Sequence, residues 1–230
     1  MSRRRPLRLP EPTVARLPVY QRIAENWRSR GHSSIDSSQL GDQAGVTATT
    51  VRRDLAGLGS LGVRGAGYDI ETLLNHIAEA LGQDRTYRVV IVGVGNLGRA
   101  LANSTSFLVR GAELVGLYDA DLSVIGSTVA RHVVRDVHGE IDLADVAVLC
   151  VPPEAAQAVA DRLVRAGIRA LLNFAPRVLT VPQGVAVHYV DFSIELQILT
   201  YHLVSGMGLL GGGVLHSVGI PNERPVGGDA

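Results

Sequence analysis

The stretch RVVIVGVGNLG, residues 88–98, reads as a buried strand that turns into a helix through three spaced glycines. In such a turn Gly93 permits the tight bend. Gly95 leaves bare backbone for a pyrophosphate to approach, and Gly98 lets the helix pack close to the strand. The helix N-terminus then offers free N–H groups and the positive end of its dipole to phosphate. A second apolar strand follows at 114–118 (LVGLY) and ends in Asp119, 21 positions after Gly98. A dinucleotide fold places its ribose-binding carboxylate there. A lone glycine motif says little. One with a strand before it, a helix after it and an acid closing the next strand points to dinucleotide binding, whereas a glycine-rich turn in some other α/β domain leaves the acid unexplained.

Asp119 also chooses between dinucleotides. A carboxylate accepts hydrogen bonds from both hydroxyls of the adenosine ribose and repels a 2′-phosphate. No arginine occurs between 120 and 129 to hold that phosphate. The expected cofactor is NAD(H) rather than NADP(H). The expected contacts in the loop are Gly93, Val94, Gly95, Asn96, Leu97 and Gly98, with Asp119 at the ribose.

At 230 residues the chain can hold one large domain or two small ones. No apolar run is long enough to span a bilayer, and the N-terminal arginines precede no apolar stretch of a secretory signal. The expected location is the cytoplasm. The single Cys150 lies in the apolar run 146–151 and reads as a small buried hydrophobe in a strand, not as a redox thiol with a resolving partner. No His/Cys cluster has metal-ligand spacing.

A net charge of zero conceals a segregation. Residues 1–68 carry 11 arginines against 5 acids, and residues 69–230 carry 11 arginines against 17 acids. The basic N-terminal part suits a polyanionic partner and the acidic remainder does not. Arginines 3, 4, 5 and 8 lie among prolines in a basic arm over 1–10, which serves either as a loose phosphate contact or as a solubilising tail.

Apolar residues between 13 and 30 fall at helical spacing, with Pro18 inside implying a kink or two short helices and Gly31 ending them. Ser37 or Ser38 caps a second helix running to Ala44, and Gly45 stops it. Thr47 caps a third, over 48–58. Helix, helix, turn, helix within fifty residues is the anatomy of a winged helix-turn-helix domain, and the third helix would read DNA. Val51, Leu55 and Leu58 form its inner face. Thr49, Thr50, Arg52 and Arg53 fall on the other faces, where the arginines can reach guanine edges or phosphates and the threonines phosphate oxygens. Asp54 partly offsets those charges, and the bland alternative is an ordinary exposed helix. The glycine-rich stretch 59–68 suits a tight hairpin with Arg64 near its tip, beside a minor groove, or alternatively a linker.

Further strands read at 146–151, 170–174 and 185–190, with a helix over 153–166. The glycine loop, Val151-Pro152 and Asn173-Phe174-Ala175 then share one crevice at the strands' C-terminal ends.

Several stretches together resemble the Rex family of bacterial redox-sensing repressors: PTVARLPVY (12–20), VRRDL (51–55), RGAGYD (64–69), the glycine loop, VPPEAAQ (151–157), AGI (166–168), LNFAP (172–176) and VDF (190–192). The resemblance runs from about residue 10 to about residue 204. It implies a homodimer that binds operator DNA in its apo or NAD⁺ state and is released by NADH. The architecture it implies is an N-terminal winged helix-turn-helix (11–80), a Rossmann-type NAD(H)-binding domain (81–192), and a C-terminal helix (193–204) exchanged between protomers. A tail (205–230) follows. The apolar face of that helix would be Ile194, Leu196, Ile198, Leu199 and Leu203. Asp191, with Phe192 beside it, is the candidate for the charge that distinguishes NAD⁺ from NADH. Arg22 is a candidate partner for it, although an ordinary surface charge is the simpler reading of Arg22. One departure stands out: the family's tyrosine near the nicotinamide aligns with Ser104, so Phe107 or Phe192 would have to supply the apolar surface.

Other readings are a small NAD-dependent oxidoreductase, a sugar-phosphate-responsive repressor of DeoR type, and a CoA-binding regulator. About 85 residues between Asp119 and the end of the last helix only complete a nucleotide domain. None of the histidines 132, 138, 188, 202 and 216 sits in a recognisable catalytic motif, so no enzymatic activity is expected.

Overall fold

The computed structural model describes residues 9–59, 62–63, 67–104 and 111–205. Residues 1–8 of the basic arm, Arg64, Phe107 and the tail beyond 205 lie outside these residues. Contacts divide the described residues into two compact units, one of residues 9–85 with 200–205 and one of residues 86–199.

The first unit is built on α1 (Glu11–Ser29), a single helix that continues through Pro18 rather than dividing there. A mid-helix proline costs about 3 kcal/mol. Here it is flanked by Leu17, Tyr20, Ile23 and Ala24, all buried in one cluster, whose packing holds both halves to one axis. The helix closes with Gly31 at φ +85°. The N–H of His32 reaches the Trp27 carbonyl and that of Gly31 the Arg28 carbonyl, which satisfies two otherwise unpaired groups.

A short β1 (Ser34–Ile35) precedes α2 (Ser37–Ala44). The cap of α2 is neither Ser37 nor Ser38 but Asp36, whose carboxylate accepts the Ser38 and Gln39 amides while Gln39 accepts the Asp36 amide. That reciprocal pair is a capping box. Gly45 turns the chain at φ +68°. Thr47 caps α3 (Ala48–Ala56) through the Thr50 amide. Gly41 makes this turn possible: a Cβ there would stand 2.6 Å from the Val46 carbonyl oxygen. Strands β2 (Gly62–Val63) and β3 (Gly67–Asp69) pair antiparallel, and β1 adds to the far side of β3. Strand β3 leads into α4 (Ile70–Ala80), capped by Asp69 and buried through Ile70, Leu73, Leu74 and Ile77.

The second unit is a seven-stranded sheet. Its strands are β4 (Tyr87–Val92), β5 (Ala112–Asp119), β6 (Thr128–Val129), β7 (His132–Asp136), β8 (Val146–Leu149), β9 (Ala170–Asn173) and β10 (Ala186–Tyr189). They lie in the order β10-β9-β8-β4-β5-β7-β6, and all pairs are parallel except the edge hairpin of β6 with β7. The chain moves outward from β4 through β5 to β7, then returns to place β8 on the other side of β4. This reversal opens a crevice at the strands' C-terminal ends, the ligand position in open α/β sheets. Helices α5 (Asn96–Asn103) and α6 (Pro153–Arg165) follow β4 and β8. Two apolar clusters fill the sheet's two faces, one around Val90, Tyr118 and Leu149, the other around Ile91, Leu117 and Val148.

The described chain ends in α7 (Phe192–Val204), none of whose residues is buried. Phe192, Leu196, Leu199, Tyr201 and Leu203 are exposed.

Candidate dinucleotide cleft and DNA-reading helix

The glycine loop leaves β4 through Gly93, held at φ +91°. A side chain there would be doubly excluded, because its Cβ would sit 2.4 Å from the Cys150 carbonyl oxygen. Gly98 lies under the loop in α5, with its Cβ position 1.9 Å from the Gly93 carbonyl oxygen. Any side chain at 98 would push α5 off β4. Gly95 is the N-cap of α5, and a Cβ there would meet nothing within 4 Å. Its face is open, as a phosphate seated on the helix N-terminus requires.

A cleft of about 580 Å³ lies above this loop. Gly93, Gly95, Leu97, Asp119, Val151, Pro152 and Phe174 line it, seven of the positions expected from the sequence. The donor set fits a dinucleotide: bare loop backbone, a helix N-terminus, apolar walls and a carboxylate at one end. Asp119 is half-buried and already oriented. One of its oxygens accepts the Val94 amide at 2.6 Å and the other the Asp121 amide at 2.9 Å.

Other expected contacts stand elsewhere. Val94 turns its side chain into the core and is fully buried, so only its backbone faces Asp119. Asn96 is exposed on α5, outside the cleft lining. Asn173 is also outside the cleft lining. It is buried, and its amide donates to the Ala175 and Arg177 carbonyls while accepting the Ala175 amide. Both ends of the side chain are consumed in shaping the turn that presents Phe174, and Ala175 is buried beneath it. Asp191 caps α7, accepting the amide and hydroxyl of Ser193, and these bonds hold its carboxyl below the usual range. Phe192 places its ring 6.2 Å from that of Phe174. Arg22 is exposed on α1, and Ser104 is the C-cap of α5.

The sequence reading missed Asp121, which lines the same end of the cleft two residues beyond Asp119, and Ala155 and Val159 on α6. It also placed Cys150 inside a strand. The residue follows β8 and lines the cleft, half-buried, with burial pushing its thiol up to about 12. Such a thiol stays protonated at neutral pH, which keeps it unreactive.

On α3 the inner face is Val51 and Leu55, both buried; the helix ends at Ala56, two residues short of the expected 58, and Leu58 is buried in the turn that follows. Arg52 and Arg53 are exposed, as is Thr49, with Thr50 half-buried. The Arg52 guanidinium lies near the hydroxyls of Ser37 and Thr49, at 3.3 and 3.4 Å. Asp54 departs from expectation. It does not offset the neighbouring arginines at the surface but is 1 % exposed. Its carboxylate accepts Thr13 Oγ1, Arg16 Nε, Arg16 Nη2 and Tyr20 OH, at 2.6–2.9 Å.

Two family models match the chain: a putative DNA-binding protein N-terminus over residues 8–56 and a CoA-binding domain over 84–177. The chain is 46 % identical over 200 residues to the redox-sensing transcriptional repressor Rex of Streptomyces griseus, covering 84 % of this chain and 79 % of that protein. Among solved structures, RSP in complex with β-NAD⁺ and operator DNA matches at a TM-score of 0.81 and 38 % identity, over 87 % of this chain and 94 % of that one. RSP in complex with β-NADH matches at 0.78 and 36 %, over 86 % and 96 %. These relatives are named as repressors, not enzymes, and the match spans the helix-turn-helix and the glycine-loop sheet together. The chain belongs to the Rex family of redox-sensing transcriptional repressors.

Proposed function

We propose that this chain represses transcription by binding operator DNA through α3 and the β2–β3 wing, and that NADH bound in the cleft releases it. The observation that carries this reading is the presence, in one chain, of an exposed arginine pair on a capped third helix and a glycine-loop cleft closed by Asp119. Solved relatives of both units are complexes with β-NAD⁺ and operator DNA and with β-NADH. The dinucleotide supplies a ring that is cationic when oxidised and neutral when reduced. Phe174 and Phe192 offer that ring an apolar surface where the family's tyrosine is replaced by Ser104, and Asp191 offers it a charge. Loop residues 93–98 and Asp119 bind the diphosphate and the ribose. Thr49, Thr50, Arg52, Arg53 and Arg64 contact the operator.

The working form is a homodimer, because two reading helices must meet two half-sites about one DNA turn apart. The exposed apolar residues of α7 supply a face for it, and its exchange between protomers follows the family pattern. No described helix is long and apolar enough to cross a membrane, and the proposed site of action is the cytoplasm.

Operator binding followed by fluorescence anisotropy tests this reading. NADH titrated against fixed NAD⁺ should abolish binding, while NAD⁺ or NADPH alone should leave it nearly unchanged. Binding indifferent to NADH would sink the sensor.

A further inference from the structure

The buried carboxylate of Asp54 is the least expected group in the first unit. Its neighbours Arg52 and Arg53 are exposed, yet it is 1 % exposed and accepts four hydrogen bonds from side chains of α1. Thr13, Arg16 and Tyr20 are spaced i, i+3 and i+7, which puts all three on one face of that helix. Thr13 and one guanidinium nitrogen take one carboxylate oxygen, and the other guanidinium nitrogen and the Tyr20 hydroxyl take the second. The Arg16 contact is a fork that tolerates only one orientation of the carboxylate.

Stability alone does not account for this arrangement. A buried ion pair gains little over apolar side chains of the same volume, and its best-attested use is to set register. Apolar contacts permit helices to slide and rotate by small steps, whereas four directional bonds on two oxygens do not.

We infer that the clamp of Thr13, Arg16 and Tyr20 on Asp54 sets the rotation of α3 and its advance along α1, and thereby aims the adjacent Arg52 and Arg53 at the operator bases. The inference rests on the proposed reading of α3 as the DNA-reading helix. Asp54 is a positioning residue and touches no DNA.

The test replaces the clamp with apolar side chains of similar volume: Thr13→Val, Arg16→Met, Tyr20→Phe and Asp54→Leu together in the full chain. Asp54→Asn alone is the milder companion. The apolar variant should melt no lower than the parent and bind NADH unchanged. Its affinity for random duplex should hold within about threefold, but operator affinity should fall by about tenfold or more, the cost of one misplaced base contact. Residual dipolar couplings of α3 relative to α1, measured without DNA, should change in both variants. An apolar variant with parental stability and parental operator preference overturns the inference. If that variant does not fold, an unchanged operator-to-random ratio in Asp54→Asn overturns it. Unchanged couplings overturn it even if the parent shows no operator preference, a result that would separately sink the function.

Discussion

Asp119 is held from two sides, by the amide of the glycine loop and by that of Asp121, so its carboxylate is oriented before any ligand arrives. A carboxylate has about four acceptor positions, and two amides leave room for two ribose hydroxyls. Asp119→Ser should therefore weaken NADH by about tenfold or more, since hydrogen bonds to a charged group contribute about 1.5–3 kcal/mol. NADPH should remain poor in that variant, because Asp121 still places a negative charge at the same end of the cleft. Calorimetric titration of both cofactors checks this, and equal affinity of the parent for NADH and NADPH would refute the role of Asp119. Gly98→Ala is a harsher change. Its Cβ would stand 1.9 Å from the Gly93 carbonyl oxygen, so α5 must move outward. Overpacking of this kind costs about 1–3 kcal/mol. The variant should melt several degrees lower and lose NADH binding, and wild-type binding at wild-type stability would show that the loop tolerates displacement. The glycine positions were legible in the sequence because backbone geometry itself demands glycine. Asn173 was not, because a motif position shows neither whether a side chain faces a cleft nor whether it is spent on the turn beneath.

At the scale of elements, the β6–β7 hairpin carries a visible cost. Val129 pairs with His132, leaving Ala130 and Arg131 as a two-residue turn with φ of +49° and +71°. Such turns favour Asn-Gly. Ala130→Asn with Arg131→Gly should raise stability by about 1 kcal/mol, read as a higher urea midpoint at unchanged slope. An unmoved midpoint would place no strain there. This hairpin was invisible in the sequence because β7 buries only Val134 and lies next to the sheet's edge, so it lacks the apolar run that marked β4 and β8. α4 is the opposite case: Ile70, Leu73, Leu74 and Ile77 have helical spacing behind an Asp69 cap, but the glycine-rich stretch before them drew the reading toward a wing or linker. The pairing of α1 with α3 was hidden for a deeper reason. Periodicity sets Asp54 at the edge of the inner face, three residues after Val51, but its charge was read with the neighbouring arginines, and only the partner helix shows that three donors wait there. That pairing also has a pH signature. Burial pushes the Asp54 carboxyl up, but the bonds from Arg16, Thr13 and Tyr20 outweigh it and hold the group below its ordinary value. A depressed pKa contributes stability that is complete above the unfolded value, about 3.9, and is lost as pH falls through the folded one. Melting of the first unit, followed by its sole tryptophan, Trp27, should therefore fall steeply below pH 4. It should fall less steeply in Asp54→Asn, and parallel acid profiles would rule out the carboxylate as the source.

For the whole molecule, the proposed switch is bounded by linkage. If NADH weakens operator binding by some factor, operator must weaken NADH binding by the same factor, because the four states form a closed cycle. Moving a repressor from 99 % bound to 99 % free requires a ratio of about 10⁴ between the two affinities. No single charge contact at Asp191 supplies that much. The differential must be multiplied over two sites, which is an argument for a dimer that is independent of half-site geometry. The apolar side chains exposed on α7 are where this idea can be tested, because Leu199 and Leu203 are exposed at 39 % and 78 % on a helix that buries nothing. Leu199→Glu with Leu203→Glu should leave both units folded and NADH bound, yet shift sedimentation toward monomer. Operator affinity should then drop and depend on protein concentration, and the NADH response should become shallower, with a Hill coefficient near one. A variant that stays dimeric and retains a steep NADH response would place the association surface elsewhere and leave α7 without that role.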